Sequence, residues 1–209
     1  MSYQANKRLE IKSISNQKQD FISEIKIGNF YKEFENRKIL SIYFDTDNFL
    51  FYRNHIDGVD NRVKYRLRAY PKTLKKRNFF NLEIKKKEND QIFKKKIDNF
   101  ITYNLYIKKI NPISTDLYGF ISPVVGVKYE REYFRSFSSN LRVTVDSNLE
   151  YFRILNYKIS FNNCIKKNNF YVREYKHSMN ESIDIKYDNI SKFSKYVDAI
   201  KSFSILDYD

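Results

Sequence analysis

KYRLRAY, residues 64–70, decides how this chain folds. Lys64, Arg66 and Arg68 alternate with Tyr65, Leu67 and Ala69. Side chains of a β-strand point alternately to opposite faces, so the three cations share one face while Leu67 and Ala69 share the other. Like charges crowded on one face repel unless something anionic lies among them. The stretch therefore reads as a strand and asks which anion its charged face meets.

The same alternation recurs on both sides of it. RLEIKSI (8–14), KILSIYFDT (38–46), FFNLEIKKK (79–87), IFKKKI (92–97), VKYEREYF (127–134), NLRVTVDS (140–147) and FYVREYKH (170–177) all read as strands. Their polar faces carry Glu10 and Lys12; Glu83, Lys85 and Lys87; Lys94 and Lys96; Tyr129, Arg131 and Tyr133; Arg142, Thr144 and Asp146; and Glu174 and Lys176. Asn89-Asp90 suits a hairpin turn between two of them. Helical spacing is rarer. Residues 15–26 have Ser15 as an N-cap and Phe21, Ile22 and Ile25 on one side. Residues 191–203 place Phe193, Tyr196, Val197 and Ile200 on one side, flanked by Lys192 and Lys195. Residues 100–122 read as a short helix and loop. There is no internal repeat and no low-complexity linker, so residues 1–209 read as one domain.

Thirty-nine Lys and Arg against 25 Asp and Glu give a formal charge of +14, which points to an anionic partner: nucleic acid, a phosphorylated small molecule or an acidic membrane. The 42% hydrophobic residues, with 18 Tyr and 18 Phe, argue against disorder. The single cysteine, Cys164, rules out an intramolecular disulfide and reads as an inert thiol. The N-terminus lacks the apolar core of a signal peptide, and no run of roughly 18 apolar residues exists to span a membrane, so a cytoplasmic location is the default. No Cys/His spacing suits zinc, and the four glycines are too scattered for a phosphate-binding loop; His55 and His177 read as structural or surface groups. Cations interleaved with aromatics suit single-stranded nucleic acid. Most aromatics here alternate away from the cations, however, and core packing explains them. If the strands close into an antiparallel barrel, the charged faces line a lumen that holds a polyanion. Periodicity by itself does not say which face points inward, and on pattern alone a basic outer face is the favoured reading.

Nine blocks, in order along nearly the whole chain, resemble the polyphosphate polymerase domain of the vacuolar transporter chaperone (VTC) family, within the triphosphate tunnel metalloenzymes. They are RLEIK (8–12), SIYFDTDNFLFYRNHIDG (41–58), KYRLRAY (64–70), LEIKKK (82–87), FKKKI (93–97), KYEREYF (128–134), LRVTVD (141–146), REYK (173–176) and SKFSKY (191–196). The resemblance implies an α+β fold, an antiparallel tunnel (barrel) of about eight strands with flanking helices. It implies that Lys12, Arg66, Arg68, Lys85, Lys94, Arg131 and Arg142 are the basic tunnel residues that grip the triphosphate and growing chain. Tyr129 matches a phosphate-contacting tyrosine and Glu174 the metal-binding glutamate. Lys192, Ser194 and Lys195 match a helix-end motif that contacts the nucleotide phosphates. Lys96 and Lys176 share the inward parity, and Glu10 and Glu83 stand where the superfamily often keeps acids.

The resemblance further implies Mg²⁺ or Mn²⁺ as cofactor and ATP and polyphosphate as partners, with no nucleic acid. The expected reaction is ATP:polyphosphate phosphotransfer. A triphosphatase using the same tunnel and a non-catalytic polyanion-binding module are the alternatives. Ser13 departs from the family, which usually has an aromatic there, and residues 147–170 match little. Neither a sensing domain nor a transmembrane segment is encoded, so product export or regulation would need a partner, for example in a membrane.

Overall fold

The computed structural model describes residues 4–5, 8–27, 29–70, 78–88, 91–103, 109–178 and 190–203. In chain order the elements are β1 (Gln4–Ala5), β2 (Arg8–Ser15), α1 (Lys18–Ile27), β3 (Phe30–Asp45), α2 (Leu50–Ile56), β4 (Arg62–Ala69), β5 (Asn78–Glu88), β6 (Gln91–Tyr103), β7 (Ile113–Thr115), β8 (Gly119–Ser136), β9 (Arg142–Leu155), β10 (Lys158–Asn168), β11 (Tyr171–Ser178) and α3 (Lys195–Lys201). Neighbouring strands follow the order β1-β6-β5-β4-β3-β8-β9-β11-β2, with β7 on β8 and β10 on β9. Setting aside the two-residue β1, eight strands make up the path, as the resemblance implies. All of the pairs along it are antiparallel.

The two ends of the path are successive pieces of the N-terminal segment, for β1 pairs with β6 and β2 with β11. The sheet is thus curled so that its edges approach. Side chains bridge them: Glu10 of β2 takes Lys85 of β5 at 2.5 Å and Lys94 of β6 at 3.0 Å.

Apolar packing lies where the alternation sends it. One cluster covers the outer face of β3, β4 and β5 with Leu40, Ile42, Leu67, Leu82 and Phe51 of α2. A second packs Phe21 and Ile25 of α1 against Phe134, Val143, Val145 and Tyr175. The third is inside. Tyr196, Val197, Ala199 and Ile200 of α3 meet Val125, Val127 and Tyr129 of β8, so α3 plugs one end of the curl. Among the described residues no helix is long and apolar enough to cross a membrane.

Four local readings change. The first helix starts at Lys18, because Ser15 is still the last residue of β2; its hydroxyl instead accepts the Gln17 N–H at 3.0 Å in the turn ahead of the helix. Helix α2 is an element beyond the two helices read from the sequence. Its first backbone donors are taken by side chains ahead of it: Thr46 Oγ accepts the Leu50 N–H at 3.0 Å, and Asp45 accepts the N–H groups of Phe51 and Tyr52 at 2.9 Å each. In 100–122 the described residues form the end of β6, then β7, a turn and the start of β8, not a helix; residues 104–108 lie outside the described residues. Residues 147–168 form a long hairpin, β9–β10, around Asn156 and Tyr157 at φ 49° and 61°. Positive φ at both positions is the hairpin geometry that Asn or Gly normally signals, and tyrosine hides it.

Candidate active site: a cationic tunnel

The curl encloses a cavity of about 390 Å³ lined by eleven basic side chains and three carboxylates. Strand β4 contributes Lys64, Arg66 and Arg68, the cationic face of KYRLRAY. Across the ladders stand Glu83 and Lys85 on β5 and Lys94, Lys95 and Lys96 on β6. The opposite wall supplies Tyr129 and Arg131 from β8, Glu174 and Lys176 from β11, and Glu10 and Lys12 from β2. Ser194 and Lys195, where α3 begins, close the plugged end. The strand period accounts for most of the set, since positions two apart on one pleated face meet the lumen once the sheet curls; Ile84 and Lys95 line it despite the opposite parity.

Carboxylates fix the arginines in pose. Glu83 accepts from Arg66 Nε at 2.8 Å and lies 3.4 Å from Arg68 Nη1. Arg68 Nη2 in turn donates to the Tyr129 hydroxyl at 3.3 Å. Asp146 of β9, on the inner face and fully buried beneath its partners, takes both Nε and Nη2 of Arg131 at 2.5 and 2.7 Å and Lys195 at 2.6 Å. Lys195 also lies over the Tyr129 ring, 4.8 Å from its centroid. Glu174 is 3.5 Å from Lys176 and 3.8 Å from Arg131. Lys64 donates to Ser194 Oγ at 3.0 Å and Lys12 to the Phe193 carbonyl at 3.3 Å, tying the plug to both walls.

The charge balance is one-sided. Burial would raise the Glu10 carboxyl, yet Lys85 and Lys94 bring it down to about 2. Glu174 is likewise held well below the usual carboxylate range against burial, by Lys176, Lys12 and Arg131. The cations show the reverse. Burial and then Lys12 and Lys94 bring Lys85 down to about 8, despite Glu10. Burial with Lys12, Lys85 and Arg62 puts Lys64 well below its ordinary value. His55, on α2 behind Lys64, falls to about 3 through burial and the charges of Lys64 and Arg62. Carboxylates this acidic beside lysines this easily deprotonated are what a site short of negative charge produces.

Twelve of the fourteen residues named from the sequence meet in this cavity: Lys12, Arg66, Arg68, Lys85, Lys94, Lys96, Tyr129, Arg131, Glu174, Lys176, Ser194 and Lys195. Arg142 and Lys192 do not line it and are exposed. Arg142 has the inward parity but sits at the first position of β9, beyond the rim; Lys192 precedes α3. Besides Glu10 and Glu83, five contributors stand outside those fourteen: Tyr43, Lys64, Ile84 and Lys95 in the lining, and Asp146, which holds Arg131 and Lys195. The parity of KYRLRAY signalled Lys64. Asp146 shares the alternation of its strand, but its pairing with Arg131 needed the β8–β9 register. Ser13 is buried and accepts Arg173 Nε at 3.0 Å on the outer face.

Among the described residues no group of three or more His, Cys, Asp or Glu side chains is assembled to hold a metal ion. The lumen does offer Glu174 with Glu10 within electrostatic reach of it. Two carboxylates suit a hard divalent ion that takes its remaining ligands from phosphate oxygens and water.

The family model for the VTC domain matches residues 2–204. No curated protein matches the chain. Among solved structures it is similar to the X-ray structure of a candidate adenylate cyclase from Vibrio parahaemolyticus, at 14% identity and a TM-score of 0.47, over 86% of this chain and 80% of that one.

Proposed function

This chain belongs to the VTC domain family, and from that premise we propose that it transfers the γ-phosphoryl group of ATP to the end of a polyphosphate chain and releases ADP. The observation that carries the proposal is the excess of cations over carboxylates in an enclosed lumen. A triphosphate followed by a polyphosphate supplies the negative charge that this lumen lacks, along its length and without bulk at the sides.

Phosphoryl transfer has a loose transition state, so catalysis is mostly positioning and charge stabilisation. Arg66, Arg68 and Arg131 are already oriented by Glu83, Tyr129 and Asp146, and their forks suit paired phosphate oxygens. Lys12, Lys85, Lys94 and Lys176 supply compact charge along the chain. A terminal oxygen of the acceptor chain attacks the γ-phosphorus; one P–O bond forms there while the bond to the β-γ bridging oxygen breaks and ADP departs. No protein nucleophile takes part. Glu174, with Glu10 beside it, would hold Mg²⁺ or Mn²⁺, whose chemistry is to neutralise charge on the phosphate oxygens. Lys176 and Arg131 would then turn from Glu174 to phosphate.

The test is phosphorus NMR of purified protein with ATP, Mg²⁺ or Mn²⁺, and a short polyphosphate primer. Growth of internal-phosphate resonances together with ADP is expected. Orthophosphate with ADP and no chain growth would make water the acceptor and the protein a triphosphatase. Tight polyphosphate binding without turnover would make it a binding module. Glu174→Ala should abolish turnover while tripolyphosphate binding stays measurable; full activity in that variant would remove the metal role.

A further inference from the structure

β8 carries the lumen past Arg131 to a second kind of surface. Tyr133 is the next residue on the same face, about 6.6 Å further along the strand. The opposite face there is covered, since Phe134 packs into the α1 cluster. Tyr133 lies in electrostatic reach of Arg131, Tyr70, Arg37 and Tyr129, so it stands at the open end of the tunnel, away from the α3 plug. Beside it is Phe34 of β3, with ring centroids 5.7 Å apart and planes at 87°. The Arg37 guanidinium covers both rings, at 5.0 Å from Phe34 and 5.3 Å from Tyr133. Ladder irregularities on either side of Phe34 re-aim this part of β3 toward the mouth.

Phe34 keeps 45% of its surface in solvent and Arg37 is exposed, while Tyr133 is half-buried beside them. Polyphosphate has no apolar atom to place on an aromatic ring. A nucleobase does, and rings with a stacked guanidinium are the surface that unpaired bases bind without hydrogen-bond readout. The separation along β8 leaves room for the ribose between this surface and the phosphates held by Arg131. We propose that Phe34, Arg37 and Tyr133 form the platform for the nucleoside of the substrate triphosphate at the open mouth, so that ATP lies with its base there and its phosphates directed toward the plug. The platform tolerates different bases, since every base offers a flat face.

This rests on the tunnel taking a nucleoside triphosphate, and the experiment separates the two. Calorimetry on the full chain would compare ATP with inorganic tripolyphosphate for wild type, Tyr133→Ala and Phe34→Ala. Both variants are expected to weaken ATP about ten-fold, toward the low end of losing a base-stacking ring, and to leave tripolyphosphate affinity unchanged. The unchanged tripolyphosphate affinity also reports that the variants are folded. The 2-aminopurine analogue of the triphosphate should lose fluorescence on binding wild type and keep more of it on binding Tyr133→Ala. Equal weakening of both ligands, or of neither, would overturn the platform. Wild type that binds tripolyphosphate but not ATP would overturn both the platform and the ATP-dependent reaction. ATP binding that responds to Tyr133→Ala without chain growth would overturn only the polymerase reading.

Discussion

Asp146 and Lys85 show how single charges register the excess of cations in the tunnel. Asp146 is fully buried, and although burial alone would raise its carboxyl, Arg131 and Lys195 bring it down to about 2 from an ordinary 3.8. A carboxyl depressed on folding adds stability that is complete above the unfolded value and disappears as pH falls through the folded one. Between pH 3.8 and about 2 the protein should therefore lose about 2 kcal/mol through this group alone, and Asp146→Asn should flatten that part of an acid unfolding curve. Lys85 behaves oppositely, because burial and neighbouring cations bring it down to about 8 from 10.5. Its charge opposes folding of the ligand-free protein at neutral pH, and that cost fades as pH rises from 8 to 10.5. A bound polyanion favours the charged lysine. Tripolyphosphate affinity should therefore fall as pH passes 8, with proton uptake on binding measurable as a buffer-dependent heat. Affinity independent of pH across that window would place Lys85 away from the ligand.

At the scale of elements, two short helices hang on one side chain. Asp45 ends β3, is fully buried, and takes the N–H groups of Thr46, Phe51 and Tyr52 together with the Tyr196 hydroxyl of α3. It therefore starts α2 and anchors the plug that carries Ser194 and Lys195. Asp45→Ala removes an N-cap and leaves buried donors without acceptors, a loss of about 3 kcal/mol that urea unfolding would measure. Phosphate binding should weaken with it, because the plug would no longer be held against the wall. An Ala variant as stable as wild type would mean that apolar packing alone seats α3. The strands needed no such device: their alternation was readable in every block from RLEIKSI to FYVREYKH. Helix α2 was not: its start is shared between Thr46, four residues before Leu50, and Asp45, six residues before Phe51 and still part of β3, so no residue directly beside it announces it. The β9–β10 hairpin was hidden for a similar reason, with Tyr157 at positive φ where the sequence offers no glycine.

For the whole molecule, the curled sheet keeps eleven cations around one cavity with three carboxylates among them. Their mutual repulsion is relieved by an anion, so ligand and stability are linked. Tripolyphosphate at about 100 times its Kd should add about 2.7 kcal/mol, a rise in Tm of roughly 5–10 °C for a chain of this size. The gain should shrink as ionic strength rises, since a groove open at one mouth is screened. A Tm indifferent to tripolyphosphate would mean that the cations do not act together.

The sequence alone determined which side chains travel together. A strand has a period of two, so Lys64, Arg66 and Arg68 share a face whatever the chain does elsewhere, and so do Glu174 and Lys176. The resemblance of nine ordered blocks added the expectation that this shared face is a lumen. Only the tertiary structure decided how far that face reaches. The register of β8 on β9 gave Arg131 its partner Asp146; the approach of β2 to β5 and β6 placed Glu10 between Lys85 and Lys94; and the seat of α3 brought Ser194 to Lys64 while leaving Lys192 in solvent. Parity is local and repeats every second residue. The stagger between strands and the packing of the plug are sums over many distant contacts, and these select which members of a charged face meet the same anion.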